Sequence, residues 1–169
     1  SGATSGASSV TNNKQTCTYD QACTAAGIGT LAKTKMVFLG WSETQGGTTV
    51  DIAVGASIKN IISSGSKTLY AVWKTPTCSA THAEVTLKSV SANMPVCTIS
   101  CNAGYTKAGG TDTTETFDVT GNPGATSVSG ACYAITYTIA YNANKPSTAT
   151  GTVSGTMADT EAEYDKSVD

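Results

Sequence analysis

The sequence predicts a mainly β fold made of tandem small β modules. Three observations lead there: few charged residues, many residues that favour strands, and six cysteines in 169 residues. Charged side chains make up 13% of the chain, about half the usual share. About a sixth of the residues are threonine and none is arginine. Thr, Val, Ile and Tyr fit pleated surfaces, whereas strong helix formers are scarce. A β-rich α+β fold is the alternative.

The clearest strand is predicted at residues 134–141, where large apolar residues alternate with small or hydroxyl ones. Such a period of two is typical of a half-buried strand. One face carries Ile135, Tyr137, Ile139 and Tyr141. Further strands are predicted at 15–19, 36–41, 48–54, 68–73, 83–89, 95–100 and 114–119.

Only one short helix is expected, near residues 57–63. There Ile58, Ile61 and Ile62 stand at helical spacing, and Gly65 could end the helix. No longer helical pattern occurs in the sequence.

Charge and hydropathy exclude two classes of partner. The net charge is −2 and the lysines are scattered, so we expect no nucleic-acid partner. No apolar run approaches the ~20 residues that a membrane span needs, and we expect no span in this segment. Residues 1–6 lack the basic and apolar regions of a signal peptide, so we expect any secretion signal upstream.

The cysteines indicate an oxidising, extracellular compartment, because six of them accompany a single histidine and little charge. Cys17 and Cys23 bracket five residues, a length that lets two strands turn back on each other. We predict a disulfide across that hairpin. The remaining four cysteines allow three pairings; they are Cys78, Cys97, Cys101 and Cys132. Six reduced thiols in a cytosolic protein are the alternative.

We predict no catalytic residue, no metal site and no cofactor, and therefore no enzyme. A Ser-His-Asp or Cys-His site would have to use His82, which we expect to be an ordinary, partly exposed residue at the start of a strand. Cys78, His82, Cys97 and Cys101 could supply four zinc ligands. That set would leave Cys132 alone and has looser spacing than is common, so disulfides are preferred.

The chain also contains an internal repeat. When the segment beginning at Gly151 is laid over the one beginning at Gly6, Tyr164-Asp165 falls on Tyr19-Asp20, 145 residues earlier. Cys17 and Cys23 then match Ala162 and Val168, so an apolar pair replaces a bonded one. Both pairs would fill the same non-polar cross-strand contact.

This alignment divides the chain into three parts. Residues 1–74 form one module, 75–133 a cysteine-rich β module, and 134–169 the opening strands of a next module like the first. Residues 137–142 correspond to positions before Ser1. The first module is therefore predicted to lack its first strand, while 134–169 carry that strand for a further copy.

The motif Phe38-Leu39-Gly40-Trp41-Ser42, then Gly46-Gly47-Thr48, then Leu69-Tyr70-Ala71-Val72-Trp73 resembles the Listeria–Bacteroides repeat. This is the internalin B-repeat type of module, found in many copies in bacterial surface proteins. Residues 137–142, 155–157 and Tyr164 resemble its opening part. The chain departs from the family at Lys35-Met36, where Gly-Tyr is common, and in having the Cys17–Cys23 pair.

The resemblance implies a β-grasp-like fold and a surface-exposed, spacer-like or adhesive role. Its expected core anchors are Phe38, Gly40, Trp41, Leu69, Tyr70 and Trp73. Bulky tryptophans are needed to fill a core this small; a glycan-stacking platform is the alternative role for Trp41 and Trp73.

The middle module has its own resemblance. Cys101-Asn102-Ala103-Gly104-Tyr105 is similar to the Cys-x-x-Gly-Tyr turn of small disulfide-rich extracellular domains. By analogy with those domains, the expected pairs are Cys78–Cys97 and Cys101–Cys132.

The expected function is a non-enzymatic structural repeat of an extracellular bacterial surface stalk, adhesin or filament. Copies of the chain would join head to tail, covalently or by strand donation, through an inter-repeat strand containing Tyr137, Ile139 and Tyr141. The alternative is a module that binds host glycan or protein through exposed aromatic residues. Its candidates are Tyr70, Tyr105 and Tyr133.

Overall fold

The computed structural model describes residues 14–108, 115–142, 150–151 and 155–167. These residues form β structure and no helix, which confirms the predicted mainly β class. Among them, no segment is a helix long and apolar enough to cross a membrane. The strands are β1 Cys23–Thr24, β2 Val37–Ser42, β3 Ile52–Ala53, β4 Ser57–Ile58, β5 Tyr70–Lys74, β6 Thr77–Thr81, β7 Ala83–Ser91, β8 Met94–Cys101, β9 Tyr105–Thr106, β10 Thr116–Thr120, β11 Ser127–Ala131, β12 Tyr133–Ala134, β13 Thr136–Ile139 and β14 Thr160–Glu163.

The chain divides into two compact units. Unit one comprises the described residues within 1–79, 85–98 and 118–129. Unit two comprises those within 80–84, 99–117 and 130–169. The division into modules 1–74, 75–133 and 134–169 stays a prediction.

The central sheet of unit one has the order β3-β2-β5, with antiparallel pairing on both sides of β2. Its register shifts between Phe38 and Gly40, as at a β-bulge. Gly40 has a φ of 152°, and a Cβ there would lie 2.6 Å from Val50 Cγ1 and 2.9 Å from the Ile52 carbonyl oxygen. Only glycine fits this close approach of backbones.

The core of unit one centres on Phe38, which is 2% exposed. Its ring meets those of Trp41 and Trp73 edge-on, with centroids 5.0 and 5.7 Å away. The Trp41 Nε1–H donates a hydrogen bond to the Ala26 carbonyl at 2.7 Å. The expected anchors thus divide: Phe38 and Gly40 are buried, whereas Trp41, Leu69, Tyr70 and Trp73 are half-buried.

Strands β10, β8 and β7 form a three-stranded sheet in that order. Burial alternates strictly along β8, as expected for a strand with one face inward. Its buried residues are Pro95, Cys97, Ile99 and Cys101. The turn between β7 and β8 consists of Ala92 and Asn93, both with positive φ, the conformation of a two-residue type I′ hairpin turn.

The predicted helix at 57–63 is wrong. Ser57–Ile58 is a strand whose Ile58 pairs with Cys23 in β1, and Ile61 is exposed. Asn60 has a φ of 54°, which no α-helix accommodates. Its amide binds Asp20 twice: Oδ1 accepts from the Asp20 backbone N–H at 2.7 Å, and Nδ2 donates to the carboxylate at 2.8 Å.

The predicted strand at 15–19 is also wrong. Residues 15–18 lie outside the strands and Tyr19-Asp20 form a turn. The strand predicted at 134–141 is present but ends earlier than predicted. β13 ends at Ile139, so Tyr141 lies beyond the strand. Residue 114, where another predicted strand begins, lies outside the described residues.

Candidate functional site

All six cysteines are paired, as Cys17–Cys23, Cys78–Cys97 and Cys101–Cys132. The predicted pairs are confirmed. The zinc alternative is wrong, because three of its four ligands are held in disulfides. In the part of the chain that the structure describes, no group of three or more His, Cys, Asp or Glu residues could hold a metal ion.

The sequence predicts that the Cys17–Cys23 bond crosses a hairpin of two strands, and this is wrong. Cys23 lies in β1 and its strand partner is Ile58, while Cys17 lies outside the strands. The bond closes the turn at Tyr19-Asp20 instead, with Cα atoms 5.8 Å apart.

The same turn occurs twice in the chain. In the first copy, the Gln21 N–H donates to the Thr18 carbonyl at 3.1 Å, and Asp20 has a φ of 62°. In the second, 145 residues later, the Lys166 N–H donates to the Glu163 carbonyl at 3.2 Å, and Asp165 has a φ of 60°. A positive φ at the third of four residues is the mark of a type II turn, a conformation that is uncommon for residues other than glycine.

The residues before the two turns differ in their pairing. Before the second turn, β14 pairs antiparallel with β13, and Ala162 is buried opposite Tyr137. Before the first turn, residues 15–18 lie outside the strands and are exposed. Cys17 is the counterpart of Ala162; the counterpart of Cys23 is Val168, which lies outside the described residues.

The predicted inter-repeat strand, β13, thus forms a hairpin with β14 of the same chain. Ile139 is half-buried and lies opposite Thr160. Tyr137, at 44% exposure, and Tyr141 present their rings to solvent. Among the described residues, β13 and β14 form a sheet of two strands, so each has an edge on which another strand could add.

Unit two contains an open cleft of about 380 Å³, here called the tyrosine cleft. Three tyrosines and a histidine line it together with small and charged residues. Its lining consists of Thr81, His82, Tyr105, Cys132, Tyr133, Ala134, Tyr164, Asp165 and Lys166.

Backbone hydrogen bonds hold one wall of the tyrosine cleft. The Thr81 carbonyl accepts from the Cys132 N–H at 3.1 Å, and the His82 carbonyl accepts from the Asn102 N–H at 2.9 Å. His82 itself has a φ of 51°, an unusual conformation for a residue with a large side chain. Its imidazole lies flat on the Tyr105 ring, with centroids 4.2 Å apart and planes 9° from parallel.

Tyr105 contacts three other residues of the cleft, His82, Tyr164 and Asp165. It is buried, and its hydroxyl donates a hydrogen bond to the Asp165 carboxylate at 2.8 Å. This hydrogen bond is the main cause that raises the pKa of Tyr105 above its ordinary value; burial and the negative charge of Asp165 add to it. The acceptor is thus the left-handed aspartate of the second Tyr-Asp turn.

Tyr164 is a further aromatic residue that lines the cleft. Its ring meets Tyr105 edge-on, with centroids 5.6 Å apart. It also lies directly against Gly104, whose φ is 84° and where a Cβ would overlap the ring. Tyr164 and Tyr133 remain 40% and 57% exposed.

The structure separates the three aromatic residues that the sequence offered as a binding surface. Tyr133 is exposed, Tyr70 is half-buried, and Tyr105 is buried and packs against His82 and Tyr164. His82 is exposed as expected, but its stacking was not foreseen. In the sequence, Asp165 stands out only as part of the repeat, and no pattern marks Lys166.

The chain matches no protein-family model, and comparison with curated proteins and with solved structures gives no match. The resemblance to the Listeria–Bacteroides repeat stays a prediction.

Proposed function

We propose that the chain is a non-enzymatic structural repeat of an extracellular bacterial surface stalk, adhesin or filament, in which units of 145 residues follow one another head to tail. The repeated Tyr-Asp turn carries this proposal. The same hydrogen bond and the same left-handed aspartate conformation recur at the offset found by aligning the sequence. The two segments thus share a turn geometry as well as a sequence pair, which supports the repeat.

The proposal includes a defined strand pairing between consecutive repeats. In the hairpin of unit two, Thr136 lies opposite Glu163 and Tyr137 opposite Ala162. Shifted back by 145 residues, this register puts Thr136 of the preceding repeat opposite Thr18 and Tyr137 opposite Cys17. Residues 15–18 are exposed and outside the strands, so their backbone groups would gain partners from the added strand. Such a contact is heterologous and propagates.

Two further features support the proposal. Three disulfides fit an oxidising extracellular environment. Lys35, which stands where the resembling family commonly has glycine, has a φ of 53°. That backbone conformation favours glycine. The backbone at Lys35 therefore suits the glycine that is common in the family, although this chain has lysine there.

The test is a chain in which residues 1–145 are followed directly by residues 1–169, which preserves the period. We expect the amides of residues 15–18 in the second copy to exchange with deuterium at least about tenfold more slowly than in the single chain, as strand pairing protects them. Thr138→Pro in the first copy should abolish this protection, because proline disrupts a paired strand.

The matched control is Thr138→Pro in the second copy, which should leave the protection of residues 15–18 intact. Equal exchange of residues 15–18 in the single and the two-copy chain would refute the head-to-tail arrangement.

A further inference from the structure

We infer that the tyrosine cleft of unit two binds a neutral saccharide. This inference does not depend on the head-to-tail proposal, because every residue of the cleft belongs to unit two. It rests on the size of the cleft, on the exposure of its rings and on the mixture of charges around them.

The size and the rings suit a sugar. A volume of about 380 Å³ lies within the range of small-ligand pockets. Two tyrosines with large exposed fractions, Tyr133 and Tyr164, share this one concavity, whereas isolated exposed rings would need no explanation. The faces of aromatic rings are electron-rich. A pyranose ring presents a face of weakly positive C–H groups that packs on them.

The polar groups of the cleft can both donate hydrogen bonds to a diol and accept hydrogen bonds from it. A sugar hydroxyl both donates and accepts, and Asp165 is an acceptor while Lys166 is a donor. The Thr81 hydroxyl and the His82 imidazole add groups that can do either. Adjacent hydroxyls of one sugar could therefore be recognised by neighbouring residues of the chain.

The charges select a neutral ligand. An organic cation such as a quaternary ammonium would gain from the rings and from Asp165 but would meet the ammonium of Lys166. An anionic sugar would gain from Lys166 but would meet the carboxylate of Asp165. A neutral polyhydroxylated ligand uses both groups without repulsion from either.

The cleft is also pre-organised. His82 is stacked on Tyr105, Tyr105 is hydrogen-bonded to Asp165, and the Cys101–Cys132 bond fixes the chain at Cys132. Groups already held in place lose little freedom on binding, which favours affinity in a small site.

The test is isothermal titration of the intact chain with a panel of neutral hexasaccharides: maltohexaose, cellohexaose, mannohexaose and galactohexaose. Hexagalacturonate and choline serve as charged probes. We expect at least one neutral probe to bind, and Tyr133→Ala to weaken that binding about tenfold or more, as loss of an aromatic anchor does. Tyr133→Phe should bind within about threefold of the native chain, because the ring face remains.

Tyr133 is the right residue to change because it is the most exposed of the three tyrosines in the cleft, whereas Tyr164 also packs on Gly104 and Tyr105. Tyr19→Ala, which removes an equally exposed tyrosine from unit one, is the matched control and should leave the affinity unchanged. The inference is overturned if no neutral probe binds at about 10 mM, if choline or hexagalacturonate binds more tightly, or if Tyr133→Ala binds like the native chain.

Discussion

The side-chain amide of Asn93 forms two hydrogen bonds with the backbone of Phe38. The Phe38 N–H donates to Asn93 Oδ1 at 2.6 Å, and Asn93 Nδ2 donates to the Phe38 carbonyl at 3.0 Å. Phe38 lies in β2, and its partner in the neighbouring strand β5 is Trp73. The side-chain amide thus takes the place of a backbone peptide group in a neighbouring strand. It gives hydrogen-bond partners to the N–H and the carbonyl of the buried Phe38.

We therefore expect Asn93→Gly to destabilise the chain by about 1–3 kcal/mol, the cost of leaving buried backbone groups without partners. Glycine accepts the positive φ of this turn position, so the loss reports the amide rather than the turn. Urea unfolding measures it. Ala92→Gly is the control and should be neutral or stabilising. Native stability in Asn93→Gly would show that water replaces the amide without cost.

The two tryptophans of unit one should respond differently to replacement by phenylalanine. Trp41 Nε1 donates to the Ala26 carbonyl, whereas Trp73 Nε1 is buried and has no hydrogen-bond partner among the described residues. Trp41→Phe should therefore cost about 1 kcal/mol more than Trp73→Phe, the net value of one hydrogen bond. Thermal and urea unfolding of the two variants give the difference, and equal losses would contradict the assigned hydrogen bond.

The disulfides should differ in their contribution to stability. Cys101 and Cys132 are 31 residues apart, whereas Cys17 and Cys23 are 6 apart. Loop-closure entropy predicts about 3.5 kcal/mol for the first bond and about 2 kcal/mol for the second. Replacing each pair with alanines and measuring urea unfolding tests the order. A greater loss from the Cys17–Cys23 pair would mean that its bond acts mainly on the native state.

The hydrogen bond between Tyr105 and Asp165 should be visible in an alkaline titration. Because it raises the pKa of Tyr105 above the ordinary 10.0, this phenol should ionise above pH 10. The hydrogen bond makes its full contribution to stability below pH 10. This contribution is lost as the pH rises through the raised pKa of Tyr105 in the folded state. The ultraviolet difference between native and Tyr105→Phe chains isolates the phenol. Asp165→Asn should move its midpoint down towards 10.0, and an unmoved midpoint would contradict the assignment.

Local patterns predicted the central strands well but failed where distant contacts decide the backbone. β2 and β5 overlap predicted strands rich in aromatic and β-branched residues, and β13 lies in the alternating segment 134–141. The spacing of Cys17 and Cys23 predicted their bond, whereas the other two pairs are what the resemblance of the middle module implies. At residues 57–63 the isoleucine spacing indicated a helix, yet Asn60 is left-handed and binds Asp20, 40 residues earlier. β14 has the polar sequence Thr-Glu-Ala-Glu, and its strand conformation comes from pairing with β13.

The tyrosine cleft could not be predicted for a related reason. It is assembled from four separate segments, at 81–82, 105, 132–134 and 164–166. Tyr105 ends the Cys-x-x-Gly-Tyr motif and Tyr164-Asp165 belong to the repeat, but neither pattern indicates that the four segments meet. The repeated Tyr-Asp pair does not indicate that its second aspartate accepts a hydrogen bond from Tyr105.

The cysteine pairs also determine how far the chain can be drawn out when its ends are pulled. The Cys78–Cys97 and Cys101–Cys132 bonds close segments of 19 and 31 residues. Fully extended, these segments would span roughly 65 Å and roughly 105 Å. With the bonds intact, that length stays hidden even after every strand has separated. Reduction of these two bonds would release roughly 170 Å of additional contour length, so the redox state of the surroundings would set the reach of a stretched molecule.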